Sequence, residues 1–528
     1  MRPLIQEIQT AHTPESLGEN LRGENGVVLL RTSQFDLPSA RYSFVTAKPF
    51  LTFRSFGSRC EIISDYQLLT LNHQLQFGNP WHILDALMAR YELLDEIDLP
   101  FPLGGAFGYW GYDLKNFTEP KLPRRAVNDL ELPDCHVGFY DSLVVFDHRL
   151  GKTWIVSTGL DADGSRSEAQ AREQMEFWRL LLNNDAQRTL TPALSLSERA
   201  RENRPPVSGN LKRGDAARTL ENSNERTTAL PLPGGEGWGV GERHTQTQQI
   251  ISNLSRAEFL AAVERAQRYI RAGDIYQVNL SQRLMAQCKL SGWELFQKLS
   301  TVSPAPFSAF LGCGEFEIAS SSPEQFLRMS GSHIVTRPIK GTRPRDGDPT
   351  RDAQLAYELQ TSPKELAELV MITDLLRNDL GKVCEYGSVQ TPDLARLEKF
   401  AQVQHLVSTV EGRLRKEVTH FAAFASCFPG GSITGAPKFR AMEIIDELEP
   451  ISRGPYCGAI GYLGFNRESQ LNIAIRTAVC RDGVAHFNVG AGIVADSNPA
   501  AEYEETLAKA AGFLAVMNCS SRREEALT

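Results

Sequence analysis

The chain has 528 residues, 41% hydrophobic and 23% charged, with a formal net charge of -8 and a pI near 5.8. This is a globular composition large enough for two or more cores, and without a domain-scale basic excess it excludes nucleic acid as an expected partner. No apolar run approaches the roughly 18–20 residues of a membrane span, and the opening MRPLIQEIQTAHTPES lacks the apolar stretch of a secretory signal. Nine cysteines without CxxC or CxxH spacing indicate reduced thiols and a cytoplasmic protein, not a disulfide framework or zinc site.

Taken in chain order, residues 1–185 alternate short β-like runs (GVVLL, SFVTA, LVVFD, WIVS) with helical stretches. Residues 186–249 change texture: TPALSLSERARENRPPVSGNLKRGDAARTLENSNERTTALPLPGGEGWGVGERHTQTQQ, which fills residues 191–249, is rich in Pro, Gly, Ser, Arg and Asn and poor in aromatics. Such a segment buries too little apolar surface to offset its ordering entropy, so it is expected to be a disordered insertion. Its GGEGWGVG fails the spacing of phosphate loops.

Residues 250–518 carry stronger signals. Ser255 and Glu258 have capping-box spacing ahead of AEFLAAVERAQRYIRAGD, a helix that Gly273 should end. IYQVNLSQRLMAQ follows as a strand, and SGSHIVTRPI as a strand feeding a basic turn, RPIKGTRPRDGD. PKELAELVMITDLLRNDLGKV reads as a helix; AHFNVGAGIVA is a glycine-rich strand that passes through DSNP into one amphipathic helix, AEYEETLAKAAGFLAVM. Residues 519–528 read as a flexible tail. Many strands with segregated helices predict an α+β fold, not a doubly wound parallel sheet.

Several residues can carry chemistry. Glu365 and Glu368, and again Glu502 and Glu505, stand three apart on candidate helices. If the pairs face each other they form an oxygen-rich site for Mg2+; alone, Glu502 and Glu505 are ordinary first-turn carboxylates. PGGSITGAPK, with Thr434 and Lys438, puts a Gly/Ser/Thr loop before a helix, which suits an anion or a tight turn. Arg476, expected within a sheet strand, calls for a carboxylate partner if it points inward. His405 stands alone in an apolar strand, the usual setting of a core histidine. Lys340 is either a solvated turn residue or a nucleophile kept neutral by burial and by Arg337, Arg343 and Arg345 around it.

These residues lie in phrases that together resemble the chorismate-utilising enzymes. The phrases are GDIYQVNLS, SSPEQF, RPIKGTRPR, ELAELVMITDLLRNDLGKV, FPGGSITGAPKFRAMEIIDELEP, YCGAIGYLG, NIAIRT and VGAGIVADSNPAAEYEET, and they cover nearly all of residues 251–516. RYSF and GGAFGYWGYDL extend the likeness, more weakly, into the N-terminal region. The resemblance implies a fold of large antiparallel sheets with helices outside. It implies Mg2+ held by Glu365, Glu368, Glu502 and Glu505, and chorismate carboxylates held by Tyr456, Arg476 and Gly490, with Thr434 and Lys438 as further contacts. It places His405 near the ring chemistry and Glu324 as an acid/base.

Two positions select a branch within that family. Water-using members carry a lysine base where this chain has Gln277, so the resemblance implies an ammonia user. At Lys340 anthranilate-forming members typically read PIAGT, whereas PIKGT is the reading of those that aminate chorismate at C4, with the lysine as covalent nucleophile. The chain has no recognisable glutamine amidotransferase domain, so the resemblance implies a separate glutaminase subunit as ammonia source, in a heterodimer. The alternatives are amination at C2 with pyruvate loss, or a catalytically silent chorismate-binding subunit. LLRTS (Leu29–Ser33) replaces the LLES phrase of the tryptophan-regulated members, which puts tryptophan control in doubt.

Overall fold

The computed structural model describes residues 2–32, 40–64, 72–93, 99–183, 250–400 and 403–522. Two twelve-stranded sheets organise them. The expected insertion at 186–249 lies outside the described residues, as do Ser33 and the last six residues of the expected tail.

Strands from the two ends of the chain share both sheets. In the first sheet Val28–Arg31 pairs antiparallel with Phe307–Gly312, setting Leu30 opposite Ala309. In the second, Gly105–Trp110 pairs antiparallel with Ala459–Gly464, setting Gly108 opposite Gly461. Residues 1–184 and 248–528 therefore form one compact unit. Both glycines are required by close approach: a side chain at Gly108 would fall 2.1 Å from the His136 carbonyl oxygen, and one at Gly461 2.1 Å from that of Gln470.

One buried cluster draws on both sheets, joining Phe53, Phe107 and Tyr462 to Val278, Leu280 and Ile318. A second lies where helices cover the first sheet. It joins Leu17, Trp178, Trp293 and Phe513 to Val45, Val144 and Phe310. Gln277–Gln287 is consequently buried through nearly its whole length, on both its faces. Two fully enclosed ion pairs stitch the unit: Lys115 to Asp446 at 2.9 Å and Arg453 to Glu449 at 2.7 Å. The eight described cysteines are free.

The α+β, mostly antiparallel architecture expected from the sequence is the one found. The capping box at Ser255 and Glu258 forms and opens the helix Arg256–Arg271, and Gly273 follows with φ +82°. Three local readings need correction. The basic turn is a strand, Ile339–Pro344, paired with Val403–Arg413 so that Lys340 faces Leu406; a bulge at Gly341, φ +68°, interrupts the register. Arg476 is not in a strand: it lies at φ +50° in the link between Glu468–Ile473 and Thr477–Arg481. The C-terminal helix is two helices, Pro499–Lys509 and Ala511–Arg522, and the second runs four residues into the expected tail.

Candidate active site

Two of the candidate residues lie where the chain passes from one sheet to the other. Ser322 ends a strand of the first sheet and Gln325 begins one of the second, so Glu324 sits on the crossing. The return crossing, Ile473 to Thr477, carries Arg476. The two crossings hold each other: Ile473 N–H donates to the Glu324 carbonyl at 3.1 Å, and Ser321 N–H to the Arg476 carbonyl at 3.0 Å.

Glu324 is buried, 7% exposed. Burial pushes its carboxyl up to about 7, against hydrogen bonds from the Ser432 hydroxyl and the Ile339 backbone N–H and the nearby Lys340 charge. Lys340 also lies in the field of Glu368. The three arginines expected to bring positive potential are each taken by a carboxylate. Arg337 pairs with Glu398, Arg343 with Glu365 at 3.4 Å, and Arg345 with Asp352 at 2.7 Å. Glu324 and Glu368, not bare cations, dominate the surroundings of Lys340. The same phrase is thus a braced strand: Arg345 also donates to the Phe400 carbonyl at 2.8 Å.

His405 lies opposite Thr342 on the neighbouring strand. Its Nδ1 is 2.9 Å from the Thr342 hydroxyl. Burial, then the Arg476 charge, holds it down at about 4, so the imidazole is neutral near pH 7. Arg476 itself forms no ion pair or side-chain hydrogen bond with a described residue, and burial lowers its pKa. A half-buried guanidinium in that state is a ready partner for an incoming carboxylate.

Gln277 is 1% exposed, and its Oε1 has no hydrogen-bond partner among the described residues. Tyr456, 6% exposed, reaches toward Gly490, where any side chain would stand 2.8 Å from its hydroxyl. Thr434 donates its hydroxyl to the Gly430 and Gly431 carbonyls at 3.1 and 3.2 Å, so it closes its own turn. Lys438 departs from the expected anion contact. All its protons are used, on Asp379 at 2.5 Å and on the Cys427 and Pro429 carbonyls at 3.0 and 2.9 Å.

The four glutamates come from the two helices expected of them, Pro363–Gly381 and Pro499–Lys509. Gly341 makes room for the first: a side chain there would meet Glu365 Oε2 at 3.0 Å. Burial raises Glu368, with Glu365 and Glu505 adding repulsion. Burial also raises Glu502, with Glu505 adding and a Ser497 hydroxyl opposing. The pairs therefore feel each other across the helices. In this arrangement each carboxylate turns to a nearer group: Arg343, Lys364 at 4.0 Å, the Ser497 hydroxyl at 2.6 Å, and Lys509 at 2.8 Å. Among the described residues no three carboxylate, imidazole or thiol groups stand close enough to chelate a metal. By its chemistry the donor set, four carboxylates of which two pairs repel each other, is of the kind a hard divalent cation takes.

Comparison with known proteins identifies the family. The profile of the chorismate binding enzymes matches residues 215–515. The chain is 34% identical to the anthranilate synthase component 1 of Acetivibrio thermocellus over 97% of its length and 94% of that protein's. It is 36% identical to the aminodeoxychorismate synthase component 1 of Escherichia coli K12, over 91% of each. The structure of anthranilate synthase component I from Streptococcus pneumoniae TIGR4 superposes with a TM-score of 0.68 at 28% identity, covering 90% of this chain and 92% of that one. The chain belongs to the chorismate binding enzymes, and the enzyme class its fold and site define is chorismate-utilising. Relatives named anthranilate synthase and relatives named aminodeoxychorismate synthase match at similar identity.

Sequence reasoning missed Ser432, which touches Glu324, and Asp379, which takes Lys438. Neither stands out by type or spacing. RNDLG and GSITG did mark their neighbourhoods.

Proposed function

We propose that this chain aminates chorismate at C4, giving 4-amino-4-deoxychorismate, with ammonia supplied by a separate glutaminase subunit in the cytoplasm. The observation that carries the reading is Lys340, set on the strand Ile339–Pro344 within the fields of Glu324 and Glu368.

The step balances as two displacements. Lys340 Nζ bonds through its lone pair to C2; the ring double bonds shift; the C4–oxygen bond breaks, and the hydroxyl leaves as water with a proton from Glu324. Ammonia then bonds to C4, the double bonds shift back, the C2–nitrogen bond breaks to free the Lys340 amine, and the C4 ammonium returns a proton to the Glu324 carboxylate. A carboxyl near 7 suits the proton transfer at neutral pH. Arg476 and Tyr456 would hold the carboxylates, and neutral His405 would face the ring. Gln277 cannot deprotonate water, but its unpaired Oε1 can accept a hydrogen bond from ammonia. Glu365, Glu368, Glu502 and Glu505 would hold Mg2+, which when bound neutralises charge between a dianionic substrate and the glutamates.

Chromatography of products from chorismate, Mg2+ and ammonium salt tests the reading. 4-Amino-4-deoxychorismate is expected; fluorescent anthranilate as the main product would overturn it in favour of C2 amination. Chorismate binding without turnover would favour a silent subunit. Relatives named as component 1 support a partnered enzyme.

A further inference from the structure

Lys438 follows the turn Pro429–Ala436 in sequence but grips its beginning. Its ammonium donates to the Cys427 and Pro429 carbonyls and to Asp379, and it is only 11% exposed, with Asp379 at 1%. The second Asp379 oxygen takes Lys382 at 3.0 Å. Asp379 stands on Pro363–Gly381, the helix of Glu365 and Glu368.

The turn is pressed from two sides. A side chain on Gly431 would fall 2.7 Å from Leu375 of that helix, and one on Gly430 would fall 2.6 Å from Ile473, whose backbone holds Glu324. Its far end is tied to the Gln277 strand, through the Asn279 N–H on the Thr434 carbonyl at 2.8 Å and through Ala436 opposite Gln277. Between these ends Ser432 meets Glu324. The turn thus spans three parts of the proposed machinery, and its charged anchor is Lys438.

We propose that the buried Asp379–Lys438 pair is a positioning device for the reaction, fastening the Pro429–Ala436 turn to the glutamate helix so that Ser432 stays on Glu324. A substrate-facing role for Lys438 is excluded by its three occupied protons. A stability role alone does not explain why the grip falls on the Cys427 and Pro429 carbonyls, where the chain enters the turn. The Ser432 hydroxyl favours the charged form of Glu324, so a loosened turn changes the group that moves the proton. The kinetic part of this inference rests on the amination reading; the mechanical part does not.

The test uses the full chain with Lys438→Met, Ser432→Ala and the two combined, read by hydrogen exchange and by turnover of chorismate with ammonium and Mg2+. Lys438→Met is expected to speed exchange in residues 428–437 while the glutamate helix keeps its protection, and to lower kcat by about tenfold to a hundredfold with a smaller change in KM. If the clamp acts through Ser432, the double variant loses no more than Lys438→Met alone. Unchanged exchange in the turn, or losses that multiply, would overturn the proposal. Should Lys438→Met not fold, the Asp379→Asn/Lys438→Met pair removes both buried charges together and gives the same readouts. If the wild-type chain aminates nothing, the amination reading falls, and hydrogen exchange still decides the clamp.

Discussion

Replacing Glu324 by Gln separates burial from chemistry, because the two consequences have opposite sign. The carboxyl is held at about 7 where its ordinary value is 4.5, chiefly by burial. Between those values the folded chain keeps a proton that the unfolded chain has released. Stability therefore falls as pH rises through this window, and the deficit is complete above about 7. The gap corresponds to about 3 kcal/mol. Glutamine has the same shape and no charge to desolvate, so the variant is expected to be more stable than the wild type at pH 8 and equal to it near pH 4.5. In a chain of this size about 3 kcal/mol is a rise in Tm of several degrees, readable by scanning calorimetry at the two pH values. Turnover should fall by about a hundredfold to ten-thousandfold, the usual loss with a proton-transfer group. A Glu324→Gln variant that melts no higher than the wild type at pH 8 would refute the burial argument. One that turns over normally would refute the acid/base role.

Lys340→Ala should reduce amination by on the order of a thousandfold or more, as expected for a covalent nucleophile, with Tm nearly unchanged, since its half-buried side chain leaves the backbone pairing with Leu406 intact; mass spectrometry after brief reaction should find a chorismate adduct on the wild type and none on the variant. Chelation of Mg2+ should abolish turnover, and Glu368→Gln/Glu502→Gln should weaken Mg2+ binding at least about tenfold by calorimetry in the presence of chorismate, because it removes the two most buried oxygens of the set. Arg453→Met should destabilise the chain by about 3–5 kcal/mol in thermal melts, because Glu449 would then be a buried charge without its partner.

Much of this site could be read from the sequence because its parts are local phrases. Two i,i+3 glutamate pairs imply two helix faces, and the structure supplies both helices. PIKGT puts a lysine before a glycine, and Gly341 turns out to need its positive φ for the bulge and its missing side chain for Glu365. The sheet fold was legible for the same reason: alternation and turn residues mark strands one at a time. What single phrases cannot carry is pairing between distant segments. The N-terminal and C-terminal regions look like successive units along the chain, yet Val28–Arg31 and Phe307–Gly312 are neighbours in one sheet.

Charge is where the sequence misleads most. Read along the chain, Arg337, Arg343 and Arg345 make a basic patch around Lys340. In space Glu398, Glu365 and Asp352 arrive from a strand and two helices that follow, and cancel them one by one. Lys438 likewise reads as a free cation beside a glycine loop until Asp379 is placed under it. Arg476 is the reverse case: an arginine in an apolar phrase asks for a carboxylate, and the fold leaves it half-buried without one among the described residues. A local run of like charge is therefore weak evidence for local potential, since a folded chain neutralises most buried charge with residues far away in sequence. The informative residue is the one the fold leaves unpaired. Here an unpaired guanidinium on one sheet crossing, a carboxyl near 7 on the other and an unpaired Gln277 carbonyl at the head of its strand are the groups that, on the proposed reading, a dicarboxylate, a departing hydroxyl and ammonia would respectively engage.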